Sequence, residues 1–170
     1  DNYLNKLIKF KDKELIKVVS GIRRCGKSTL FNLYIDYLLK TGVEENQIIR
    51  LNLEDPVYYG LDDYLKLYNY IKEKMNPNKM NYIFIDEVQN VSGFQKAVDG
   101  LYIQKNADIY ITGSNAYLLS GELATLLSGR YVEVKMLPLS FKEYCSAFPN
   151  GNIDRLYQKY ISTGSFPYTL

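Results

Sequence analysis

The sequence predicts an α/β layer fold with a mainly parallel sheet. Short apolar runs alternate along the chain with longer segments in which apolar residues recur at helical spacing, the pattern of successive strand–helix–strand units. One run, Tyr82–Ile85, is apolar without interruption, as expected of a strand buried on both faces of a parallel sheet. A glycine-containing turn, Gly21–Ser28, joins the first apolar run to the first helical segment, and phosphate-binding turns occupy that position in such folds.

The first half of the chain contains two predicted strand–helix pairs. Leu15–Ser20 is predicted as a strand that ends at a glycine, and Lys27–Lys40 as a helix with a wide apolar face. Gln47–Leu53 is predicted as the second strand, because an Asp-Pro pair follows it and prevents its continuation. Leu61–Met75 is then predicted as a helix.

The second half of the chain continues the alternation. The strand Tyr82–Ile85 is followed by a predicted helix over Phe94–Gln104. A fourth strand is predicted over Asp108–Thr112, and a helix over Ala116–Leu127 that a glycine stops. The alternating pattern of Tyr131–Met136 predicts a fifth strand.

We predict a core domain over residues 1–136 and a helical appendage over residues 137–170. The appendage is expected to contain two helical pieces within Ser140–Thr163, separated at the turn Pro149–Gly151. No internal repeat or low-complexity linker interrupts the sequence. A length of 170 residues suits one domain with such an appendage.

The composition excludes several classes of site and partner. The sequence has no histidine, which excludes His-based triads, metalloprotease helices and histidine metal centres. Two cysteines are too few for a disulfide framework. A net charge of +2 does not support nucleic acid as a partner, and no apolar run is long enough to cross a membrane. We therefore expect a cytoplasmic protein.

The segment Gly21–Ser28 matches the phosphate-loop pattern G-x-x-x-x-G-K-[ST] without a substitution. Its glycines let the backbone curl so that successive N–H groups face an anion, and the next helix directs its positive end to the same place. Lys27 is expected to reach the β- and γ-phosphates of a nucleotide, and Ser28 to ligate Mg²⁺. The predicted nucleotide-binding residues of this segment are Gly21, Ile22, Arg23, Arg24, Cys25, Gly26, Lys27, Ser28 and Thr29.

Four positions in or next to this loop leave alternatives open. Arg23 and Arg24 either point to solvent or contact the nucleotide or a neighbouring subunit. Thr29 either contacts the α-phosphate or is an ordinary residue of the first helical turn. Cys25 needs no redox role, although a nearby positive charge would make its thiol reactive.

Two acidic residues follow the uninterrupted apolar strand. An unpaired carboxylate at the end of a buried strand is unfavourable, so Asp86 is predicted to hold Mg²⁺ together with Ser28, the Walker B role. Glu87 is predicted to orient or deprotonate an attacking water. The competing interpretation for both acids is that they cap a turn or a helix start. Glu54 and Asp55 end another strand but are left outside the predicted site, because Asp-Pro is an ordinary turn signal.

Three residues later in the chain are further candidates. Ser114 and Asn115 follow the fourth strand and are predicted to contact the γ-phosphate, with capping of the next helix as the equal alternative. Arg130 lies outside the predicted helix and is predicted to stabilise charge on the transferring phosphoryl group. The sequence leaves open whether Arg130 acts on its own chain or on a neighbour, and also whether it is merely exposed.

Five motifs together resemble the ATPase domain of a large prokaryotic family of AAA-type ATPases. They occur in order and cover nearly the whole chain: Gly21–Ser28, Phe84–Gln89, Thr112–Asn115, Leu127–Tyr131 and Leu137–Phe141. Members of that family commonly carry a C-terminal domain of unknown function with a nuclease-like core. The family usually shows Gly-Gly-Phe-Pro near the domain junction, where this chain has Gly-Ser-Phe-Pro at Gly164–Pro167.

The resemblance implies a P-loop NTPase fold of the AAA type with five strands in the order 5-1-4-3-2 and helices on both faces. It implies ATP and Mg²⁺ as ligands, with Asp86 and Glu87 in the roles described above. It also implies that the nuclease-like domain would lie beyond the residues of this sequence.

Two functions fit these residues. The first is a Mg²⁺-dependent ATPase with Glu87, Lys27 and Arg130 as its catalytic residues. The second is a nucleotide-gated switch, in which ATP orders the loops and a partner protein or a second copy of the chain reads that state, with slow or no hydrolysis. The lack of a recognisable lid segment after the core favours this second function.

Overall fold

The computed structural model describes residues 2–114, 127 and 129–165, and its five strands form one parallel sheet. The strands are β1 (Ile16–Gly21), β2 (Ile48–Asn52), β3 (Asn81–Asp86), β4 (Ala107–Ser114) and β5 (Tyr131–Met136). Their order across the sheet is β2-β3-β4-β1-β5. This confirms the expected order 5-1-4-3-2, which is the same order counted from the opposite edge, and all five predicted strands are present.

The described residues also form six α-helices. They are α1 (Asn2–Lys9), α2 (Lys27–Lys40), α3 (Tyr64–Lys74), α4 (Phe94–Tyr102), α5 (Phe141–Ser146) and α6 (Ile153–Thr163). The helix α1 was not predicted, because it is only 8 residues long and has no acidic residue in its first turn to mark its start. The helix predicted over Ala116–Leu127 lies outside the described residues, apart from its last residue.

The sheet is covered by helices on both faces, as expected. Ile83 and Ile85 of β3 belong to an apolar cluster that includes residues of α3 and α4. Tyr82 and Phe84 alternate with them along the strand and belong to a second cluster that includes residues of α1 and α2. Because successive side chains of a strand point to opposite faces, β3 is buried on both sides, and this explains its uninterrupted apolar sequence.

A buried ion pair lies at the amino edge of the sheet, where the strands begin. Lys17 of β1 donates to Asp108 of β4, and both side chains are almost completely buried. The Asp108 carboxylate also accepts hydrogen bonds from the Tyr110 hydroxyl, at 2.8 Å, and from the backbone N–H of Asp12, at 2.9 Å. Burial lowers the pKa of Lys17 and raises the pKa of Asp108, while their mutual attraction opposes both shifts. These contacts join the loop after α1 to the sheet.

The predicted appendage begins with two helices that pack on each other. Ser140 and Glu143 form a capping box at the start of α5. The Phe141 ring of α5 packs against Tyr157 and Tyr160 of α6, with ring centroids 5.3 and 5.4 Å away. The boundary at residue 136 between core and appendage stays a prediction. None of the helices in the described part of the chain has the length and apolar character needed to cross a membrane.

Candidate functional site

The phosphate-loop segment forms a tight turn at the carboxyl end of β1. A Cβ atom on Gly21 would lie 2.7 Å from Cys25 Sγ and 2.8 Å from the Met136 carbonyl oxygen, so only glycine fits there. Arg24 and Gly26 have positive φ angles of 66° and 101°, which is the left-handed backbone that curls this loop. The N-cap residue of α2 is Gly26, which has no side chain to cap the helix, so the first N–H groups of α2 suit an anion.

Lys27 connects this loop to the end of β3. Its side chain is 4% exposed, and its Nζ donates to the carbonyl oxygens of Gly21 and Ile22, both at 3.3 Å. The same Nζ lies 3.4 Å from Oε1 of Glu87. The lysine therefore lies across its own loop with its ammonium group beside the predicted catalytic glutamate.

Asp86 is buried beneath the site and is oriented by a threonine. It is 3% exposed, and its Oδ1 accepts a hydrogen bond from the hydroxyl of Thr112 on the neighbouring strand β4. The Thr112 oxygen in turn accepts the backbone N–H of Glu87, at 3.0 Å. One hydroxyl thus fixes both acidic residues, a role that the sequence did not indicate.

The donor set around Asp86 fits Mg²⁺. Among the described residues, no lysine or arginine forms an ion pair with this buried carboxylate. A buried carboxylate without a cation is unfavourable, so the site suits a cation from outside the chain. Carboxylate and hydroxyl oxygens are ligands that Mg²⁺ accepts while it keeps several waters. Asp86 carries a carboxylate and Ser28, the second residue of α2, carries a hydroxyl, and their joint coordination of a metal stays a prediction.

Glu87 is held by two side chains. Its backbone has a positive φ angle of 58°, a conformation that is uncommon for residues with a Cβ. One carboxylate oxygen faces Lys27, and the other accepts a hydrogen bond from Nε2 of Gln89 at 2.5 Å. Glu87 precedes the short 3₁₀ turn Val88–Asn90, but its side chain makes no capping hydrogen bond to that turn, so the turn-capping interpretation of its carboxylate is not supported.

A polar cleft of about 800 Å³ opens at this edge of the sheet. Its lining residues are Arg23, Arg24, Gly26, Lys27, Ser28, Thr29, Glu54 and Glu87. Glu54 was left outside the predicted site, but the structure places it in this lining, where Oε1 pairs with the exposed Arg23 guanidinium at 2.9 Å. Asp55 caps the following turn by accepting the Val57 N–H, as its Asp-Pro pair indicated.

A second, smaller pocket of about 210 Å³ adjoins the polar cleft. The two cavities share Gly26 and Thr29 in their linings. The smaller pocket, called the apolar pocket below, is lined by Tyr3, Leu4, Cys25, Gly26, Thr29, Leu30, Leu33, Met136, Leu137, Leu139 and Glu143. It was not predicted, because the sequence does not show that α1 and the end of β5 meet beside the phosphate loop.

The structure separates Arg130 from this site. The Arg130 carbonyl accepts the N–H of Ile16, the first residue of β1, at 2.8 Å, whereas the phosphate loop follows Gly21 at the other end of that strand. Five residues of strand span about 17 Å. Arg130 lies beside Asp99, at 4.0 Å, and over the Tyr102 ring, at 5.6 Å. The distance along β1 disfavours contact between Arg130 and a phosphate on its own chain, and the role of Arg130 stays a prediction.

The two candidates after β4 have different outcomes. Ser114 is the last residue of β4 and is paired in register with Gly21, so its backbone lies beside the start of the phosphate loop. Asn115 lies outside the described residues. Contact of either with the γ-phosphate stays a prediction.

Cys25 does not have the environment of an activated thiol. Its side chain is 3% exposed, and burial raises its pKa, an effect that the nearby Lys27 charge only partly opposes. A raised pKa reduces the thiolate fraction at neutral pH. Cys25 acts instead as a small packing residue against Gly21.

The sequence and fold match known proteins. A family model described as an AAA domain matches residues 13–145. An uncharacterized protein of Haemophilus influenzae is 49% identical over 172 residues, covering 98% of this chain and 43% of that protein. An uncharacterized protein of Methanocaldococcus jannaschii is 33% identical over 169 residues, covering 89% of this chain and 35% of that protein. This chain therefore spans less than half the length of both relatives.

Solved structures share the fold at low sequence identity. The Aeropyrum pernix ORC1 protein, solved in complex with DNA, has a TM-score of 0.61 and 12% identity, over 92% of this chain and 48% of that chain. Saccharomyces cerevisiae RIF2 has a TM-score of 0.58 and 14% identity, over 95% of this chain and 68% of that chain. These similarities confirm the P-loop NTPase fold.

The hydroxyl of Thr112 is expected to stabilise the loop that carries both acids. Thr112→Val removes the acceptor of the Glu87 N–H and the donor to Asp86, so the free energy of unfolding should fall by about 1–3 kcal/mol. Thr112→Ser is the matched control, because it keeps both hydrogen bonds and loses only a methyl group. Urea unfolding measures the difference, and a valine variant as stable as the parent protein would contradict the assignment.

Proposed function

Because this chain belongs to the AAA domain family, we propose that it binds ATP with Mg²⁺ and hydrolyses the bound nucleotide. The observation that supports this function most directly is the 3.4 Å contact between Lys27 of the phosphate loop and Glu87 at the end of β3. It brings the predicted phosphate-binding group and the predicted proton acceptor to one cleft. The nuclease-like second domain implied by the family resemblance stays a prediction.

The phosphates would bind in the polar cleft. The N–H groups of the curled loop and of the first turn of α2 would surround them, and the ammonium group of Lys27 would leave Glu87 to pair with the β- and γ-phosphates. Ser28 and Asp86 would hold Mg²⁺ beside them, and Thr112 fixes the direction of the Asp86 carboxylate. The metal, when bound, would neutralise charge on the phosphate oxygens.

Glu87 would act as the general base for hydrolysis. A water oxygen forms a bond to the γ-phosphorus while the bond from that phosphorus to the bridging oxygen breaks, which yields ADP and inorganic phosphate. The Glu87 carboxylate would accept one proton of this water. The position of Glu87 supports this role, because its contact with Lys27 places it at the cleft. When the lysine turns to the phosphates, that contact is lost and the carboxylate can accept a proton.

The adenine base would occupy the apolar pocket. The apolar pocket and the polar cleft share Gly26 and Thr29 in their linings, so a nucleotide would extend from one cavity into the other. Apolar and aromatic side chains are typical of pockets that bind planar rings. Thr29 would then contact the α-phosphate, because it lines both cavities.

Arg130 would act on the nucleotide of a neighbouring copy of the chain. Its backbone lies at the opposite end of β1 from its own phosphate loop, which favours a neighbour's nucleotide over its own, and its guanidinium lies near Asp99 and Tyr102. Its side chain is 51% exposed, as a group that reaches a neighbour must be. This assignment makes turnover depend on a homo-oligomer.

A nucleotide-gated switch is the second candidate function. The Lys27–Glu87 ion pair favours it, because Glu87 is engaged with the lysine as long as no phosphate competes for the ammonium group. In that function ATP would rearrange the pair and a partner protein would bind the rearranged surface. Tight ATP binding with negligible phosphate release would support the switch and contradict hydrolysis.

Substitution of the two paired residues separates binding from turnover. Lys27→Ala is expected to weaken ATP binding by about 100-fold, because the phosphates lose their main cation. Glu87→Gln is expected to keep binding and lower turnover by about 10²–10⁴-fold, because the amide cannot accept the proton. Equilibrium binding and phosphate release measure the two effects.

The matched controls are Lys40→Ala on the exposed end of α2 and Glu73→Gln on the exposed face of α3. Both should behave as the parent protein. Hydrolysis by Glu87→Gln at the parental rate would remove Glu87 from the role of general base.

The neighbour role of Arg130 is tested by mixing variants. Arg130→Ala alone should lose about 10³-fold in turnover and keep ATP binding. A mixture of Arg130→Ala with Lys27→Ala should recover activity, because one chain supplies an intact cleft and the other supplies the arginine. Arg155→Ala on the exposed surface of α6 is the control. A mixture as inactive as its components, or full activity of Arg130→Ala alone, would contradict the role.

A further inference from the structure

Gln89 makes a side-chain hydrogen bond to Glu87 that the sequence did not predict. It lies in the short turn Val88–Asn90 that follows Glu87. Its Nε2 donates to Oε2 of Glu87 at 2.5 Å, whereas its Oε1 is buried and has no hydrogen-bond partner among the described residues. The amide is therefore satisfied on one side only, and that side faces the predicted general base.

The contact with Glu87 determines which way the amide points. A rotation that exchanged Nε2 and Oε1 would place an oxygen with no proton against a carboxylate oxygen, which is repulsive. An unpartnered buried acceptor is itself unfavourable. The hydrogen bond to Glu87 favours this orientation, which leaves Oε1 without a partner among the described residues.

The two partners of Glu87 differ in what a bound nucleotide would do to them. Lys27 is a cation, and in the proposed function its ammonium group is drawn from Glu87 to the phosphates. The Gln89 amide is neutral and has no comparable attraction to the phosphates. After the lysine has turned away, Gln89 is the side chain that still holds the carboxylate of Glu87.

We propose that Gln89 is a positioning residue, which keeps the Glu87 carboxylate directed into the cleft while ATP is bound. The proposal rests on the proposed function, since it requires that ATP takes Lys27 away from Glu87. Without Gln89 the carboxylate would be free to turn from the phosphates, which repel it, and the attacking water would lose its proton acceptor. A neutral donor suits this task because the phosphates do not draw it away from Glu87 as they draw Lys27.

The first test is a double-mutant cycle in steady-state hydrolysis. Gln89→Met keeps a similar volume and removes the donor, so kcat should fall by about tenfold or more while KM stays within about twofold. In the Glu87→Gln background the same substitution should change kcat by less than about twofold, because there is no carboxylate left to position. Gln158→Met on exposed α6 is the control for a general effect of methionine.

Gln89→Glu provides a second variant of nearly the same shape. It replaces the donor by a carboxylate that repels Glu87, so kcat should fall at least as far as in Gln89→Met. This variant keeps the test decisive if the methionine variant does not fold.

The second test follows the amide itself and does not depend on turnover. The side-chain amide protons of Gln89, assigned by their loss in Gln89→Met, should exchange slowly with water in NMR spectra of the parent protein. Their protection should persist with Mg²⁺ and a non-hydrolysable ATP analogue, and it should be lost in Glu87→Ala.

Two results would overturn the proposal while the proposed function stands. One is binding of the analogue together with loss of protection of the Gln89 amide. The other is a kcat for Gln89→Met that does not depend on Glu87: either kcat stays at the parental value, or it falls equally in the parent and in the Glu87→Gln background. Failure of the analogue to shift any phosphate-loop amide would instead contradict the proposed function itself.

Discussion

The contact between Lys27 and Glu87 depends on how the parallel sheet is ordered. In this fold β4 lies between β1 and β3, so the phosphate loop and the acidic pair follow strands that are about 10 Å apart. That gap is wide enough for phosphates and a metal, and the long side chain of Lys27 spans it.

The same geometry explains why the acids need support from β4. The intervening strand passes directly beside Asp86 and Glu87, and its Thr112 uses one hydroxyl to bind the side chain of the first and the backbone of the second. Gln89 completes the arrangement from the turn after β3. The opposite edge of the sheet is held differently, by the buried pair of Lys17 and Asp108, so the polar groups of the two edges serve separate purposes.

The sequence predicted the parts of the site that depend on local order along the chain. The phosphate loop and the acidic pair are contiguous motifs at the ends of recognisable strands, so their place in the fold follows from the alternation of strands and helices. The strand order was implied by the family resemblance and not by periodicity. Thr112 and Glu54 were missed because their roles depend on which strands are neighbours. For the same reason, the sequence left open whether Arg130 acts on its own chain or on a neighbouring chain.

In the proposed function, ATP moves Lys27 from Glu87 to the phosphates in the polar cleft. A crystal structure with Mg²⁺ and a non-hydrolysable ATP analogue tests it most directly. Lys27 Nζ should then lie within hydrogen-bonding distance of the β- and γ-phosphate oxygens, with the metal held by Ser28 and Asp86. An analogue bound elsewhere on the chain, with Lys27 still paired to Glu87, would contradict it.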